Sequence, residues 1–449
     1  MKLRPSTYNV ILSVKREDEE VFFVWNSLRE SAAIINDELL SVLKKPSLAK
    51  DKEDLEFLID HGFLVEKEID ERRICYTKWN FYRFSSRILN LVILPTLKCN
   101  LQCPYCYQGL DKSGFEEMNL DTCEKLVEWV NGVIDGFRGI NVVWYGGEPL
   151  LNWEAIEFIS NELSNISGYS AGLITNGVLL ERFCDEISDL GIEWVQVTLE
   201  VPPERHSSRR TMNGESVLDS ILRGIESILG KGLKVLIRLN LDERDANEES
   251  LKSTINFLKE LDFLKEERGK EVFLSIAPIR HWYRDLGRGA CYPELQIEEE
   301  NRFREFSRRF RSEFPLPATL PSMRTSVCTA THPWAYTVLP NGSLGKCWEK
   351  VTSEEGVVGS IREGVNFYSK ELMKFLCYDA TSLRDCKECP LLPSCFGACA
   401  NHRLINVPTR VDCRKEEILG MLTEFARKKV SESLGWEDFS VTPLDYQSG

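Results

Sequence analysis

The sequence has no apolar run long enough to cross a membrane and no excess of positive charge. Its longest near-continuous apolar run, Leu89–Leu97, contains Asn90 and Pro95 and falls far short of the roughly 20 residues that a spanning helix needs. The first residues show no signal-peptide pattern. The formal net charge of -14 argues against nucleic acid or an anionic membrane as the main partner. We therefore expect a cytoplasmic protein with neither kind of partner.

Disulfides are not expected either, although the 449 residues include 15 cysteines. In a reducing compartment, clustered cysteines favour metal thiolates over disulfides. Five of the cysteines are scattered, and we expect them to be small buried apolar side chains: Cys75, Cys123, Cys184, Cys291 and Cys377. The other ten fall into two patterned groups, which predict metal binding.

Strand and helix patterns alternate along residues 88–280. The predicted strands are Ile88–Leu94, Asn141–Tyr145, Gly172–Thr175, Trp194–Leu199, Val235–Leu239 and Val272–Ile276. The predicted helices are Asp121–Ile134, Trp153–Ile166, Val217–Leu229 and Glu249–Leu264. Repeated βα units indicate a parallel sheet. Because there are six units rather than eight, we predict a partial (β/α)6 TIM-like barrel, with functional residues at the carboxyl ends of its strands.

The first 80 residues predict a small α+β module. A strand hairpin, Asn9–Lys15 and Glu20–Trp25, precedes two helical patterns, at residues 32–43 and 55–59, and a short strand at 63–65. This order suits a winged-helix-like domain, or alternatively an extension that packs on the next domain. The predicted division is 1–80 for this module, 81–280 for the partial barrel, 281–327 for a charged bridging segment, 328–413 for a cysteine-rich domain and 414–449 for a C-terminal helix and tail.

The first cysteine group predicts an iron–sulfur cluster with one open iron. Cys99, Cys103 and Cys106 are spaced C-x3-C-x2-C directly after the first barrel strand. A [4Fe–4S] cluster has four irons, so three cysteines leave one iron for another ligand. A structural zinc site would be expected to supply its own fourth ligand, and the neighbouring residues offer no good one.

The motif Cys99-x3-Cys103-Pro104-Tyr105-Cys106 resembles the signature of the radical S-adenosylmethionine (radical SAM) superfamily. In that family the open iron binds the amino and carboxylate groups of S-adenosylmethionine. The reduced cluster cleaves this cofactor to methionine and a 5′-deoxyadenosyl radical, which abstracts a hydrogen atom. The resemblance implies the same cofactor and cluster here, together with an electron donor such as flavodoxin or ferredoxin.

The resemblance extends to the following strand ends, and it assigns cofactor contacts to Tyr105, Gly146, Gly147, Glu148, Pro149, Thr175, Asn176, Thr198, Glu200, Arg238 and Asn240. The glycines fit because a Cβ would block close approach of the backbone. At the fourth strand the family commonly has S-L-D-G, whereas this chain has Thr198-Leu199-Glu200-Val201, which leaves the role of Glu200 open. Arg238 would pair with the methionine carboxylate or, alternatively, form a structural ion pair.

The second cysteine group matches the seven-cysteine pattern of the SPASM extension of radical SAM maturases. The resemblance implies an outer auxiliary [4Fe–4S] cluster held by Cys386, Cys389, Cys395 and Cys413, and an inner one held by Cys328, Cys347 and Cys399. Some relatives have an eighth cysteine just before the position of Cys328, and residues 320–327 contain none. The inner cluster would then have an open iron or a distant ligand such as Cys291. A zinc ribbon built from Cys386, Cys389, Cys395 and Cys399 is the alternative.

These resemblances imply an enzyme that modifies a peptide or protein. Residues 1–80 resemble the recognition elements of RiPP (ribosomally made, modified peptide) maturases, which bind a leader peptide as an added strand. Oxidative cross-linking such as thioether formation is the expected reaction. Alternatives are epimerisation, sulfatase-maturase-like oxidation, a metabolite-directed enzyme or a non-catalytic electron carrier. Sulfatase maturases commonly have an aspartate after the cysteine matching Cys347, where this chain has Trp348 and then Glu349. No catalytic side chain is assigned.

Overall fold

The computed structural model describes residues 2–108, 116–265, 271–279, 295–315, 318–324, 328–405 and 413–444, without the side chains of 295–297. Cys291 and most of the predicted bridging segment therefore lie outside the described residues. No helix of the described ranges is long and apolar enough to span a membrane.

The strands, numbered along the chain, are β1 (Leu3–Pro5), β2 (Asn9–Arg16), β3 (Glu19–Asn26), β4 (Ser31–Ile35), β5 (Leu64–Glu66), β6 (Ile88–Ile93), β7 (Gly139–Trp144), β8 (Tyr169–Thr175), β9 (Ile192–Val201), β10 (Thr211–Met212), β11 (Glu215–Ser216), β12 (Lys234–Asp242), β13 (Val272–Ile279), β14 (Ala335–Val338), β15 (Ser343–Gly345), β16 (Val357–Ser360), β17 (Gly364–Val365) and β18 (Ser440–Pro443).

The α-helices, numbered in the same way, are α1 (Asp37–Lys44), α2 (Lys52–Asp60), α3 (Glu71–Ser85), α4 (Leu120–Val133), α5 (Trp153–Leu163), α6 (Leu180–Asp189), α7 (His206–Arg209), α8 (Leu218–Gly230), α9 (Glu248–Glu260), α10 (Asp262–Lys265), α11 (Leu295–Glu313), α12 (Lys370–Leu376), α13 (Leu392–Cys395), α14 (Ala400–Leu404) and α15 (Lys415–Leu434).

The chain divides into two compact units. The first comprises residues 1–85, 311–328 and 378–449, and the second comprises 86–310 and 329–377. The segment predicted as a cysteine-rich domain, 328–413, is thus shared between the two units. Each unit is described by itself below.

The second unit contains the predicted partial barrel. Six neighbouring strands, β6, β7, β8, β9, β12 and β13, run parallel, and helices connect them in sequence. The strand order is linear rather than circular in the described residues, so the sheet is open. The predicted fold class is confirmed. On β12 the buried residues Val235, Ile237 and Leu239 alternate with Arg238 and Asn240 on the opposite face, as the period of a strand requires.

Residues 329–377 extend this sheet beyond β6. β14 pairs in parallel with β6, and β15, β16 and β17 follow as antiparallel neighbours, which gives ten strands in all among the described residues. The backbone N–H of Leu94 donates to the Val338 carbonyl over 2.9 Å. This pairing brings Cys347, which follows β15, into the same unit as the first cysteine group.

The first unit is built around a four-stranded antiparallel sheet in the order β18-β2-β3-β4. One face of the sheet packs Phe22 and Val24 against α1 and α2. The other face packs Val10 and Leu12 against α15. The predicted hairpin, two helices and short strand are all present, with β4 between the hairpin and the first helix, and a helix and a strand from the C-terminal region complete the sheet and its core.

Several elements of the first unit differ from the sequence-based expectation. The predicted helix at 32–43 is wrong in its first half, because Ser31–Ile35 pairs with β3 as β4, and Asn36 then caps α1 by accepting from the Leu39 N–H over 2.9 Å. The helix α3 and the strand β18 were not predicted. β18 pairs with β2, so neither strand of the β2–β3 hairpin keeps an open edge.

The scattered cysteines are buried only in part. Cys75 and Cys123 are buried as expected, Cys184 is half-buried, and the expectation is wrong for Cys377, which is exposed. No disulfide links any of the fourteen cysteines in the described ranges.

Candidate active site

The first three cysteines lie together on one loop. Cys99, Cys103 and Cys106 follow β6 at the carboxyl ends of the barrel strands. Burial raises the pKa of the Cys103 thiol, the charge of Arg210 lowers it, and the neighbouring thiols and Glu200 raise it further. The sulfur atoms are thus close enough to interact electrostatically, as ligands of one cluster must be.

Two glycines after β7 allow the chain to pass directly beside this loop. Gly146 has a φ of +153°, and a Cβ there would lie 2.3 Å from the carbonyl oxygen of Thr96. A Cβ on Gly147 would lie 2.1 Å from that of Lys98. The Gly147 N–H donates to Thr96 over 3.1 Å, and the Glu148 N–H donates to Lys98 over 2.8 Å. A larger residue at either glycine would push the Gly-Gly-Glu-Pro turn away from the cysteine loop.

Glu148 ties this turn to the end of β8. It is fully buried. Its carboxylate accepts from the Thr175 hydroxyl over 2.8 Å and from the Asn176 N–H over 2.7 Å. It also accepts from the Leu150 N–H over 3.1 Å, at the start of the 3-10 turn Pro149–Asn152. Burial raises the pKa of Glu148, and these hydrogen bonds oppose that rise. Its carboxylate therefore holds Thr175 and Asn176, two of the predicted cofactor-binding residues, in place.

Asn176 connects the end of β8 to the cysteine loop. Its Nδ2 donates to Oδ1 of Asn100 over 2.7 Å and lies 3.8 Å from Sγ of Cys99. The first three predicted motifs are thus in direct contact within the second unit.

The inner faces of β9 and β12 carry a chain of polar side chains. The Tyr105 hydroxyl donates to Glu200, and Asn240 Nδ2 lies 3.3 Å from the Tyr105 hydroxyl oxygen. Arg238 Nε donates to Asn240 Oδ1 over 3.1 Å. Burial raises the pKa of Glu200, whose Oε2 accepts no hydrogen bond from the described residues. Thr198 stands beside Arg238 in the strand register, two residues deeper in the barrel than the Glu200–Asn240 pair.

Sequence reasoning missed Arg210, which follows α7 just beyond β9. Its side chain is 6% exposed, and its Nη2 lies 3.4 Å from the Asn176 carbonyl oxygen. Burial alone would lower the pKa of Arg210, but the negative charges around it, Tyr105 and Cys103 first, raise it. Nε of Arg210 has no hydrogen-bond acceptor among the described residues. A buried guanidinium beside the cysteine loop could pair with the carboxylate of a bound ligand.

Arg209, the neighbouring arginine, is held by acidic residues. Its Nη2 lies 2.5 Å from Asp245 and 3.3 Å from Asp242, and its Nη1 lies 3.9 Å from Glu200. The signal that could have revealed both arginines is their position, because a cationic pair just past a barrel strand lies where functional residues gather.

Aromatic residues line the same mouth on the side of β14. The hydroxyls of Tyr107 and Tyr145 lie 2.7 Å apart. The Tyr145 ring packs against that of Trp348 at 5.8 Å between centroids. The Tyr107 hydroxyl also lies 3.4 Å from the Trp348 carbonyl oxygen. Residues next to Cys106 and next to Cys347 therefore share one wall of the second unit.

The four cysteines of the predicted outer cluster come together within the first unit. Cys386 and Cys389 precede α13, Cys395 ends it, and Cys413 precedes α15. Burial first, and then the charges of the other three, raise the pKa of the Cys386 thiol to about 12. The charges that act on Cys386 include that of Cys413, which a zinc ribbon would leave out.

The loop at 395–399 has an unusual backbone. Phe396, Gly397 and Ala398 have φ values of +49°, +76° and +63°, a left-handed run that non-glycine residues rarely adopt. Trp79 of α3 stacks on Phe396, with ring centroids 4.6 Å apart and planes 20° apart. The unpredicted helix α3 thus supports the loop that joins the third outer cysteine to Cys399.

The predicted inner set stays a prediction. Cys328 and Cys399 belong to the first unit and Cys347 to the second, and Cys291 lies outside the described residues. Within the second unit, Cys347 Sγ lies 4.0 Å from a carboxylate oxygen of Glu349.

The residues at the barrel mouth fit a cluster with a chelated S-adenosylmethionine. The loop provides three thiols for a cube of four irons. The buried Nε of Arg210 and Oε2 of Glu200 lack hydrogen-bond partners among the described residues, and a ligand with a carboxylate and ribose hydroxyls would supply them. The outer cysteines likewise fit a second cluster by their number and by their electrostatic influence on one another.

Known proteins resemble the part of the chain that carries this site. A sequence profile of the radical SAM superfamily matches residues 93–258. A "GTP 3′,8-cyclase" of Campylobacter jejuni subsp. doylei is 30% identical over 205 residues, which are 45% of this chain and 61% of that protein. A "Probable GTP 3′,8-cyclase" of Methanococcus maripaludis is 29% identical over 210 residues, 44% of this chain and 66% of that protein. The chain thus spans less than two thirds of these relatives' length.

Solved structures share the fold at lower identity. "Native anSMEcpe with bound AdoMet" superposes with a TM-score of 0.56 at 18% identity, and the match covers 77% of this chain and 99% of that one. The same protein "with bound AdoMet and Cp18Cys peptide" gives a TM-score of 0.56 over 78% and 99% of the two chains. The profile match and the three-cysteine loop on an open parallel barrel together identify residues 93–258 as a radical SAM superfamily domain.

Proposed function

We propose that the chain is a radical SAM enzyme that modifies a peptide or protein, by oxidative cross-linking such as thioether formation. The observation that carries the proposal is the barrel mouth, where the three-thiol loop, the Gly-Gly-Glu-Pro turn, Glu200 and the buried Arg210 lie at neighbouring strand ends. When bound, the cluster and S-adenosylmethionine would supply a 5′-deoxyadenosyl radical, which the protein must orient and keep from water.

The chain's own residues would divide that task. Cys99, Cys103 and Cys106 would hold the cluster. Arg210 would pair with the cofactor carboxylate, and the carbonyl groups of the glycine turn would face its amino group. Glu200, fixed by Tyr105, would accept from ribose hydroxyls.

A peptide substrate is supported by features outside the barrel. The outer cysteine set resembles the SPASM pattern of peptide maturases, and the N-terminal sheet resembles their recognition elements. The superposed anSMEcpe has been seen with a bound peptide. Among the described residues β4 is the outermost strand at one end of the N-terminal sheet. We therefore propose its outer edge, rather than that of the β2–β3 hairpin, as the site where a leader peptide adds.

The relatives named GTP 3′,8-cyclase favour a second candidate, a radical reaction on GTP. The two candidates share the cofactor chemistry and differ in the substrate. They are therefore separated by the product formed and not by cofactor cleavage.

The test begins with cofactor cleavage. Anaerobically reconstituted protein, reduced with dithionite, is expected to convert S-adenosylmethionine to 5′-deoxyadenosine and methionine, measured by liquid chromatography and mass spectrometry. Cys99→Ala should abolish this conversion. Cys184→Ala, which removes a half-buried cysteine of α6 outside the site, should not. Cleavage by the Cys99→Ala protein would refute the site.

The substrate is then tested by co-expression with candidate short peptides and by incubation with GTP. A loss of two hydrogens from a peptide would support oxidative cross-linking, and an unchanged mass with altered retention would point to epimerisation. Formation of a cyclised nucleotide from GTP, without any modified peptide, would contradict the peptide proposal and support the reaction on GTP.

A further inference from the structure

One arginine on the inner face of the barrel sheet has no acidic partner. Arg238 of β12 lies on the same face as Asn240, and its Nε donates to Asn240 Oδ1 over 3.1 Å. Arg238 is exposed and forms no ion pair within the described ranges, where the ion pairs at the ends of β9 and β12 belong to Arg205, Arg209 and Arg244. The structural ion pair that the sequence allowed as an alternative is therefore not found in the part of the chain that the structure describes.

Glu200, the acidic residue of the neighbouring strand, is offset by other cations. Burial raises the pKa of Glu200, and the charges of Arg210 and Arg209, together with the hydrogen bond from the Tyr105 hydroxyl, oppose that rise. Nη1 of Arg209 lies 3.9 Å from Oε2 of Glu200. Two arginines therefore already act on this carboxylate, and Arg238 binds the neutral amide of Asn240 instead.

The guanidinium of Arg238 faces the aromatic wall of the barrel mouth, which consists of Tyr107, Tyr145 and Trp348. Burial raises the pKa of Tyr145 to about 12, whereas its hydrogen bond with Tyr107 and the charge of Arg238 lower it. The groups that raise this pKa further are Cys106 and Glu349. In the sheet, β9 and β8 separate β12 from β7, which Tyr145 follows directly. The charge of Arg238 therefore acts across the inner face of the barrel.

Arg238 also lies near one end of the sheet. The strand order begins β13-β12-β9, and no strand lies beyond β13 among the described residues. The neighbours of Arg238 in the strand register, Thr198 on β9 and Ser275 on β13, are uncharged and half-buried. A polypeptide reaches the inner face of an open sheet from such an end without entering a closed barrel, and Arg238 is one strand away from it.

The hydrogen-bonding groups of Arg238 suit a carboxylate. Asn240 fixes its Nε, and neither Nη atom donates to a described residue. A guanidinium presents its N–H groups in a rigid fork that matches the two oxygens of a carboxylate. No carboxylate of the described residues occupies this fork, so an anionic group of a bound molecule would complete it.

We propose that Arg238 binds a carboxylate of the substrate peptide, supplied by an acidic side chain near the modified residue or by the peptide's C-terminus. The proposal rests on the peptide substrate of the proposed function and adds acidic peptides as the substrate class. Arg238 is then a substrate-binding residue, whereas Arg210 pairs with the cofactor.

The test measures peptide binding rather than turnover. The probes are synthetic five-residue peptides with a central cysteine and random flanking residues, in one pool with amidated C-termini and in one with free carboxylates. Full-length reconstituted protein, immobilised with S-adenosylmethionine at low ionic strength, is equilibrated with each pool, and retained peptides are quantified by mass spectrometry. We expect peptides with Asp or Glu, or the pool with free carboxylates, to be retained about fivefold more than their amide counterparts.

The charge of residue 238 is then changed. Arg238→Gln should abolish the preference for carboxylates, and Arg238→Glu should reverse it in favour of peptides with Lys or Arg. A purely structural role would not give this reversal. Arg223→Gln is the matched control, because Arg223 is an exposed arginine of α8 whose Nε lies 3.1 Å from Glu181, and it should keep the preference of the unsubstituted protein.

Four outcomes would overturn the proposal. They are equal retention of carboxylate and amide peptides by the unsubstituted protein, a preference that survives in Arg238→Gln, a preference that Arg223→Gln loses equally, and loss of all retention in both Arg238→Gln and Arg238→Glu. The last result would mean that the arginine is required for the fold. Retention of GTP that is lost in Arg238→Gln, without a preference among peptides, would assign the site to phosphates and also refute the proposal.

Product analysis of the same samples separates this proposal from the proposed function. If the protein modifies peptides without preferring carboxylates, only the role of Arg238 is wrong. If acidic peptides are retained through Arg238 but none is modified and S-adenosylmethionine is not cleaved, the proposed function is wrong and the binding role of Arg238 remains.

Discussion

At the scale of single residues, the site depends on which arginine faces the cofactor. The sequence resemblance pointed to Arg238, yet this side chain is exposed and donates to Asn240. Arg210 is the buried cation beside Cys103 and Glu200. A buried charge without a full set of acceptors is costly unless a ligand completes it, and this favours Arg210 as the partner of the cofactor carboxylate.

Substituting the two arginines separately should distinguish their roles. We expect Arg210→Gln to weaken S-adenosylmethionine binding by about 2 kcal/mol or more, roughly thirtyfold, because a charge-assisted contact is lost. Arg238→Gln should change the affinity far less. Anaerobic calorimetry with the reconstituted protein measures both. Equal losses in the two variants, or a larger one in Arg238→Gln, would contradict this assignment.

The local motifs were predictable because each occupies a few consecutive residues at a strand end. The cysteine loop, the glycine turn and Thr175–Asn176 needed only spacing and the order of βα units. Arg210 was not predictable in the same way, because no motif marks it. Its importance arises from burial against Cys103 and Tyr105, which lie about a hundred residues away in the sequence and meet it only in the folded barrel.

At the scale of elements, α3 is the support of the 395–399 loop. Trp79 is fully buried, stacks on Phe396, and has the guanidinium carbon of Arg83 4.1 Å from its ring centroid. We expect Trp79→Ala to lower the free energy of unfolding by about 3–5 kcal/mol and to reduce the iron bound at the outer cysteines. Phe81→Ala on the same helix is the control, since Phe81 is 66% exposed. Thermal unfolding and iron analysis report the outcome, and full iron retention in Trp79→Ala would exclude a role for α3 in the loop.

The strand β18 closes one edge of the N-terminal sheet. Its residues Ser440–Pro443 pair with β2, and Val441 is buried in the core beneath α15. A chain ending at Phe439 should lose about 2 kcal/mol from the burial of Val441. It should also self-associate through the uncovered edge of β2. A chain ending at Leu444 keeps β18 and should behave as the full chain in thermal unfolding and light scattering. Monomeric behaviour of the shorter chain would show that the β2 edge is protected by other means.

Element prediction failed where pairing decided the structure. Residues 31–35 carry apolar side chains at spacings that also fit a helix, but β3 lies beside them and offers hydrogen-bond partners, so they form a strand. The long parallel strands were predicted because each carries several apolar residues, many of them buried, between recognisable helical patterns. β14 and β18 are four residues each, too short for a pattern. They form because each pairs with a strand that is distant in the sequence, β14 with β6 and β18 with β2.

At the scale of the whole molecule, two kinds of region should depend differently on iron. The barrel strands β7, β8 and β9 have buried apolar residues and paired backbones. The cysteine-bearing stretches, 95–108 and 383–405, consist of loops and helices of at most five residues. Short elements without a large core of their own gain stability from bound metal. We therefore expect the cysteine-bearing stretches to depend on bound iron for their stability and the barrel strands to be stable without it.

Removal of iron should expose this difference. We expect amide hydrogen exchange of the iron-free protein to show lost protection in 383–405 and 95–108, with protection retained in β7, β8 and β9 because their hydrogen bonds lie in the barrel core. Peptide-resolved exchange before and after anaerobic chelation measures both regions in one sample. The Cys389→Ala protein is the matched control, in which protection should fall in 383–405 alone. Uniform loss of protection over both units would instead mean that the barrel itself requires a cluster to fold, and equal protection in both forms would mean that the cysteine loops are stable without iron.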